Sequence, residues 1–190
     1  MWPRAPSDEQ DEAGLVRRAQ RGSGPAAAEL LRRHQDAVYR FCLGNLGDRD
    51  LAMDAAQETA LRICQRLGAF EGRARLRTWA LGIALNVCRE MRRRRGGDTV
   101  GLGGIDPPAP PTSRPADAAA AREARSRLAE RIERLPPRQR EVVLLRYFEQ
   151  LSVGEAAEVM GCAAGTVKAT MFQALRNLRS GWSDHDAETA

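Results

Sequence analysis

Leu135 to Arg179 reads LPPRQREVVLLRYFEQLSVGEAAEVMGCAAGTVKATMFQALRNLR. This stretch decides the fold. Leu135-Pro136-Pro137 can open a helix, because the N–H groups of a first turn lack intrahelical partners and proline has none to lose. Val142, Val143, Leu145, Tyr147 and Phe148 give that helix an apolar side. Ser152-Val-Gly-Glu155 has the spacing of a capping box, serine at the cap and glutamate three residues on. A short helix carrying Ala156, Ala157 and Val159 follows, and Gly161 can take the left-handed conformation that ends it. Beyond Gly165-Thr166, the residues Val167, Met171, Ala174, Leu175 and Leu178 recur in steps of three and four, the mark of one buried helical face. Lys168, Thr170, Gln173, Arg176 and Arg179 fall largely on the other side. A helix, a tight turn and a second helix with a polar outer face form a helix-turn-helix, whose second helix fits the major groove of DNA. The plainer alternative is a small helical bundle with a solvated charged face.

Upstream, the chain is helical in pattern from Glu12 to about Arg95. Leu15, Val16 and Ala19 mark a first short helix, stopped near Gly22 and Gly24. Leu30, Leu31, Val38, Phe41 and Cys42 form the stripe of a longer one after Pro25. Gly47-Asp48 breaks it, and Asp48 or Asp50 can cap a third helix bearing Leu51, Ala55, Thr59, Ile63 and Leu67. Gly68 to Arg77 is a loop. A fourth helix holds Trp79, Ile83, Val87 and Met91 and ends in Arg92 to Arg95. Gly101 to Pro115, GLGGIDPPAPPTSRP, is a linker by composition. Its Gly-x-Gly follows no strand, which argues against a nucleotide-binding turn.

Composition agrees with an all-α chain. Of 190 residues, 43% are hydrophobic and only 5% aromatic, enough for cores but poor in sheet-forming side chains. Net charge is +5, consistent with a polyanionic partner. Cys42, Cys64, Cys88 and Cys162 are dispersed and are expected to be buried, reduced thiols rather than a disulfide or zinc set. The N-terminus has no apolar core of a secretory signal, and no apolar run reaches membrane-spanning length. A cytoplasmic protein without membrane insertion is expected.

Charge placement says more than its sum. Arg62, Arg66, Arg73, Arg75, Arg77, Arg89 and Arg92 to Arg95 crowd together, with Glu71 and Glu90 the only acids among them. Such crowding suits phosphate contact. A helix dipole explains Arg92 to Arg95 but not the loop arginines beside Phe70 and Trp79. Basic residues interleaved with aromatics and Asn86 suit a separated strand, although Trp79 by itself reads as core. Asp54, Gln57 and Glu58 carry the opposite character, and DNA would repel the two acids. A solvated helix face or a basic protein partner fits them.

At these residues the chain resembles the extracytoplasmic-function (ECF) subgroup of bacterial sigma-70-type RNA polymerase sigma factors. Three segments carry the likeness: Asp54-Ala-Ala-Gln-Glu-Thr59; Arg77-Thr-Trp79 with Ile83-Ala-Leu-Asn86; and Leu135-Pro-Pro-Arg-Gln-Arg140 through Gly165-Thr-Val-Lys168. The resemblance implies two small helical domains joined by a flexible linker. They are a sigma region 2 bundle over 12–97, a linker over 98–120 and a sigma region 4 helix-turn-helix over 121–181, with tails at 1–11, disordered, and 182–190. It implies that Asp54, Gln57 and Glu58 grip core polymerase, whose β′ and β subunits are the expected partners. It implies capture of the melted −10 strand by Phe70, Arg73, Arg75, Arg77 and Asn86. Thr166, Lys168, Ala169, Thr170, Phe172, Gln173 and Arg176 would face the −35 element. Promoter DNA and an anti-sigma factor are further expected partners; no cofactor, metal or catalytic residue is expected.

One departure bears on specificity. The family commonly has Val-Lys-Ser-Arg with another arginine three residues on. This chain has Val167-Lys168-Ala169-Thr170 and then Gln173, so the family's −35 preference does not carry over. Ala80 also stands where leucine is usual. A regulator binding duplex DNA without polymerase is the competing function, and it leaves the 54–58 patch and the basic loop unexplained. An enzyme acting on nucleic acid ranks last, because no nucleophile–base or metal constellation is legible.

Overall fold

The computed structural model describes residues 6–96, 123 and 126–186, and among them every regular element is a helix. Helix α1 spans Pro6–Gln20, α2 Gly24–Leu46, α3 Arg49–Arg66 and α4 Leu76–Arg94. After the gap come α5 at residues 126–133, α6 Pro137–Val143, α7 Val153–Met160 and α8 Ala164–Asp186. Two expectations shift at the ends. Helix α1 begins inside the stretch 1–11 read as a disordered tail, and α8 runs past 181 into the C-terminal one. Prolines at 3 and 6 suggested a tail, yet Pro6 sits where a first turn tolerates it. The linker expected over 98–120 lies outside the described residues.

Helix punctuation follows local chemistry. Ser23 caps α2, accepting from the N–H of Ala26 at 3.4 Å. Gly47 ends that helix at φ 68°, its N–H donating to Leu43 O at 2.8 Å. Asp48, rather than Asp50, caps α3 by accepting from the N–H of Leu51 at 3.0 Å. Helices α2, α3 and α4 enclose a core of Phe41, Cys42, Ala52, Ala55, Ile63, Leu81, Ala84, Leu85 and Cys88. Helix α1 closes one side through a smaller cluster of Leu15, Val16, Ala26, Leu30, Leu67 and Leu76. Polar ties fix it there: Arg33 to Asp11 at 2.7 Å, His34 to Glu12 at 2.7 Å, and Gln20 Nε2 donating to Leu67 O and Phe70 O.

In the C-terminal unit α6 does not simply end. It continues through Leu144–Phe148 as a π-helical turn, with the N–H of Glu149 donating to Leu144 O at 2.9 Å. The extra residue in that turn rotates Tyr147 outward, leaving it 52% exposed and not on the apolar side the sequence suggested. Gln150 follows at φ 56°, and the chain turns into the capping box of α7.

The two units are packed together. The principal buried apolar cluster runs without a break from Phe41 and Leu85 to Leu144, Leu145, Ala156 and Val167. Gly44 of α2 meets Leu144 so closely that a Cβ there would lie 2.6 Å from Leu144 Cδ2. The Arg140 guanidinium donates to Asn45 O at 3.1 Å, to Leu135 O at 3.2 Å and to Glu133 O. It thereby places one cation at the carbonyl ends of both α2 and α5, where the helix dipoles favour it.

Candidate nucleic-acid interface

The capping box before α7 is fully formed. Glu155 N–H donates to Ser152 Oγ at 3.2 Å, and Ser152 N–H donates to Glu155 Oε2 at 2.8 Å. The bond from the Ser152 backbone N–H, with the Ser152 hydroxyl beside it, holds the Glu155 carboxyl below its usual range. Gly161 at φ 65° ends α7, and Cys162 N–H closes back on Ala157 O at 3.0 Å. The chain then enters α8 at a fixed angle. Val167 and Ala174 are buried against α6 and α7, with Met171, Leu175 and Leu178 half-buried beside them. Packing that stripe turns Thr166, Lys168, Ala169, Phe172, Gln173 and Arg176 to the surface, while Thr170 is half-buried. Phe172 is 69% exposed, a large aromatic left uncovered on an otherwise polar face. Such a helix presents one apolar contact, one glutamine amide and two cations to whatever it meets.

The N-terminal unit presents a different surface. Asn86 is exposed on α4, within a cleft of about 710 Å³ between α4 and α6 that Arg62, Arg66, Arg89, Arg93 and Arg138 line together with Glu90 and Glu141. Arg62 is held by Glu90 through a bidentate pair at 2.8 Å and by Glu58 at 2.7 Å. Those carboxylates raise its pKa further, so it is a fixed cation. The loop is now 70–75, because a 3₁₀ turn takes Leu67–Ala69 and α4 starts at Leu76. Phe70 does not reach out: its ring lies 5.0 Å from that of Trp79, half-buried against the smaller core. Arg73 and Arg75 are exposed, Arg73 paired with Glu71 at 2.5 Å. Arg77 points the other way. It donates to the backbone carbonyl of Glu149 at 2.6 Å and to the Glu149 carboxylate. Of the five residues read as a strand-binding set, Asn86, Arg73 and Arg75 are exposed, while Phe70 and Arg77 are half-buried against Trp79 and Glu149.

On α3, Asp54 and Gln57 are exposed and Glu58 is half-buried beside Arg62. Met53 at 50% and Leu61 at 59% exposure flank them, an apolar pair that the charge pattern did not single out. Residues 53, 54, 57, 58 and 61 share one face by helical spacing. The signal for Met53 and Leu61 was in that spacing.

Two family models match the chain, Sigma-70 region 2 over residues 30–97 and Sigma-70 region 4 over residues 125–178. The ECF RNA polymerase sigma factor BldN of Streptomyces coelicolor is 33% identical over 93% of this chain and 67% of its own length. The ECF sigma factor SigL of Mycobacterium tuberculosis is 32% identical over 84% of this chain and 93% of its own. The chain belongs to the ECF subfamily of sigma-70 RNA polymerase sigma factors. SigW of Bacillus subtilis, 27% identical, covers 86% of this sigma factor with 92% of its own length. Two solved structures share the fold. CnrH in complex with the cytosolic domain of CnrY has a TM-score of 0.67 at 24% identity, covering 90% of this chain and 96% of that one. The sigma factor RpoE of Bartonella quintana, in complex with the anti-sigma factor NepR, has 0.65 at 23%, covering 80% and 94%.

The cysteines of this sigma factor depart from expectation. Cys42 and Cys88 are buried, but Cys64 is exposed and Cys162 half-buried. Cys64 lies on the outer side of α3, where the apolar stripe does not reach. A hydrogen bond with Cys42, together with burial, pushes the Cys88 thiol well up. Among the described residues, no helix is long and apolar enough to cross a membrane.

Proposed function

We propose that this sigma factor uses its two units for two different tasks on one promoter while docked on core RNA polymerase. The α3 face of Asp54, Gln57 and Glu58, with Met53 and Leu61, grips the polymerase β′ subunit. Asn86, the loop arginines Arg73 and Arg75, and Arg77 in the first turn of α4 take the non-duplex −10 strand, with Phe70 backing the loop through Trp79. Thr166, Lys168, Ala169, Thr170, Phe172, Gln173 and Arg176 on α8 read the −35 duplex. The β subunit carries the linker, an anti-sigma factor restrains the free protein, and the setting is the bacterial cytoplasm. The chain supplies recognition and no chemistry of its own.

The observation that carries this reading is the pairing of two unlike polar surfaces. One is an uncovered helix face behind a capped turn, and the other is an asparagine on α4 in an arginine-rich cleft at the junction with α6. A regulator acting on duplex DNA alone would need only the first. The test is copurification with core polymerase. The wild-type chain is expected to form a stoichiometric complex. Asp54→Lys is the cleaner probe than a change at Glu58, because Asp54 is exposed and Glu58 holds Arg62. Asp54→Lys is expected to lose at least tenfold in affinity for core with an unchanged circular dichroism spectrum. A wild-type chain that binds promoter duplex but not core overturns the proposal in favour of the stand-alone regulator.

A further inference from the structure

A cavity of about 190 Å³ lies in the N-terminal bundle between α2, α3 and the start of α4. It marks the place where two apolar clusters fail to merge. Leu30 and Leu76 line it from the smaller cluster, and Val38, Ile63 and Ala80 line it from the principal one. Ala80 stands where the sequence departs from the usual leucine, and a side chain that ends at Cβ leaves part of the space empty. Leu31 and Gln35 of α2 and Ala56 and Ala60 of α3 complete the edge. These four are half-buried or exposed, so the cavity opens to solvent between the two helices. His34 is the buried polar group on the wall, and its Nε2 is already joined to Glu12 Oε1 at 2.7 Å. Among the described residues, no side chain lining the cavity has a buried polar atom left without a partner. None of the lining residues belongs to the faces assigned to polymerase, the −10 strand or the −35 duplex.

We propose that this cavity is a binding site for one small apolar molecule, a monocyclic aromatic or a hydrocarbon of similar bulk. Three arguments fix that class. The first is size: pockets for drug-sized ligands run to about 300–1,000 Å³, whereas an apolar cavity of roughly 150 Å³ takes a single benzene ring. The second is polarity. A buried water needs about two to four polar partners, and this lining has no unmet ones to offer, so water holds the space poorly. A polar ligand of the same bulk would leave its own groups unpaired inside, at a cost that burial does not return. The third is packing. Side chains around a void lack contacts on one side, and an apolar occupant restores them for Leu30, Val38, Ile63 and Leu76 together. The occupant would thereby join the two clusters that the empty cavity holds apart.

The test uses the full-length chain, with benzene as the probe and pyrazine, the same ring carrying two polar nitrogens, as its contrast. Methyl NMR locates binding and thermal melting measures it. Benzene is expected to shift the methyl resonances of Leu30, Val38, Ile63 and Leu76 saturably. At about ten times its Kd it should raise the melting temperature by roughly 3–6 °C. Pyrazine is expected to bind at least tenfold more weakly. Ala80→Leu fills the floor of the cavity and is expected to abolish both effects of benzene. Should Ala80→Leu fail to fold, Ala60→Leu obstructs the mouth from α3 and decides in its place. The proposal is overturned by shifts that do not saturate or that spread over the whole chain. Pyrazine binding as tightly as benzene, or benzene binding that survives the filling substitution, overturns it equally.

Discussion

Gln173 stands exposed on α8, one turn beyond Ala169 and Thr170. On the proposed reading it faces base edges where many relatives by resemblance carry an arginine. Arginine pairs with guanine O6 and N7, whereas glutamine pairs with adenine N6 and N7. Gln173→Arg is therefore expected to move one −35 position toward guanine in promoters selected from a random library. A bidentate pair of this kind discriminates by roughly 1–3 kcal/mol, enough to change the selected sequence. A variant that tightens all sequences alike, with the −35 preference unchanged, would show that Gln173 only solvates the helix. Asn86 makes the complementary case on α4. Phosphate contacts position and base contacts specify, so Asn86→Ala is expected to flatten preference among −10 strands more than it lowers mean affinity. Uniform weakening in a binding titration would remove it from the reading set.

The helix-turn-helix depends on the junction at Ser152. Ser152→Ala deletes the oxygen that accepts from Glu155 N–H and leaves the Glu155 carboxylate with half of a reciprocal pair. The expected loss is about 1 kcal/mol, read as a fall of roughly 2–4 °C in melting temperature. Because the folded-state pKa of Glu155 is lowered, its contribution is fully present above the ordinary carboxylate range and is lost as pH falls through the folded value. Wild type and Glu155→Gln should therefore converge in stability in acid, whereas Ser152→Ala, which keeps the backbone N–H that holds the carboxylate, should keep most of its difference; a wild-type advantage over Glu155→Gln that stays constant from neutral pH to acid would contradict the assignment. This junction was legible in the sequence, as were Asp48, Gly47, Gly161 and the α8 stripe, because caps and periodicity act over three or four residues. The π-helical turn was not legible, since Leu144 to Phe148 is as apolar as an α-helix would be. Nor were Arg140, Glu141 and Glu149. Each looks like a solvated charge, and their partners in the N-terminal unit lie 49 to 95 residues away in the chain. On α3 the acidic residues stand out by charge, whereas Met53 and Leu61 differ from core residues only in their helical spacing.

At the scale of the molecule, the two units share one buried cluster that crosses from α2 and α4 into α6 and α7. Cooperative unfolding follows from shared core, so calorimetry of the free chain is expected to show one transition. Gly44→Leu should split it into two, because it disturbs the contact with Leu144 and leaves each unit's own core intact. Two transitions already in the wild type would mean that the seam is too weak to couple them. The central claim concerns promoter-directed initiation, and run-off transcription tests it most directly. Purified core polymerase would be mixed with this chain on a library of promoter fragments. The predicted result is transcripts from a subset of fragments sharing two spaced elements, absent without the chain and abolished by Asp54→Lys. Transcription identical with and without the chain would contradict it.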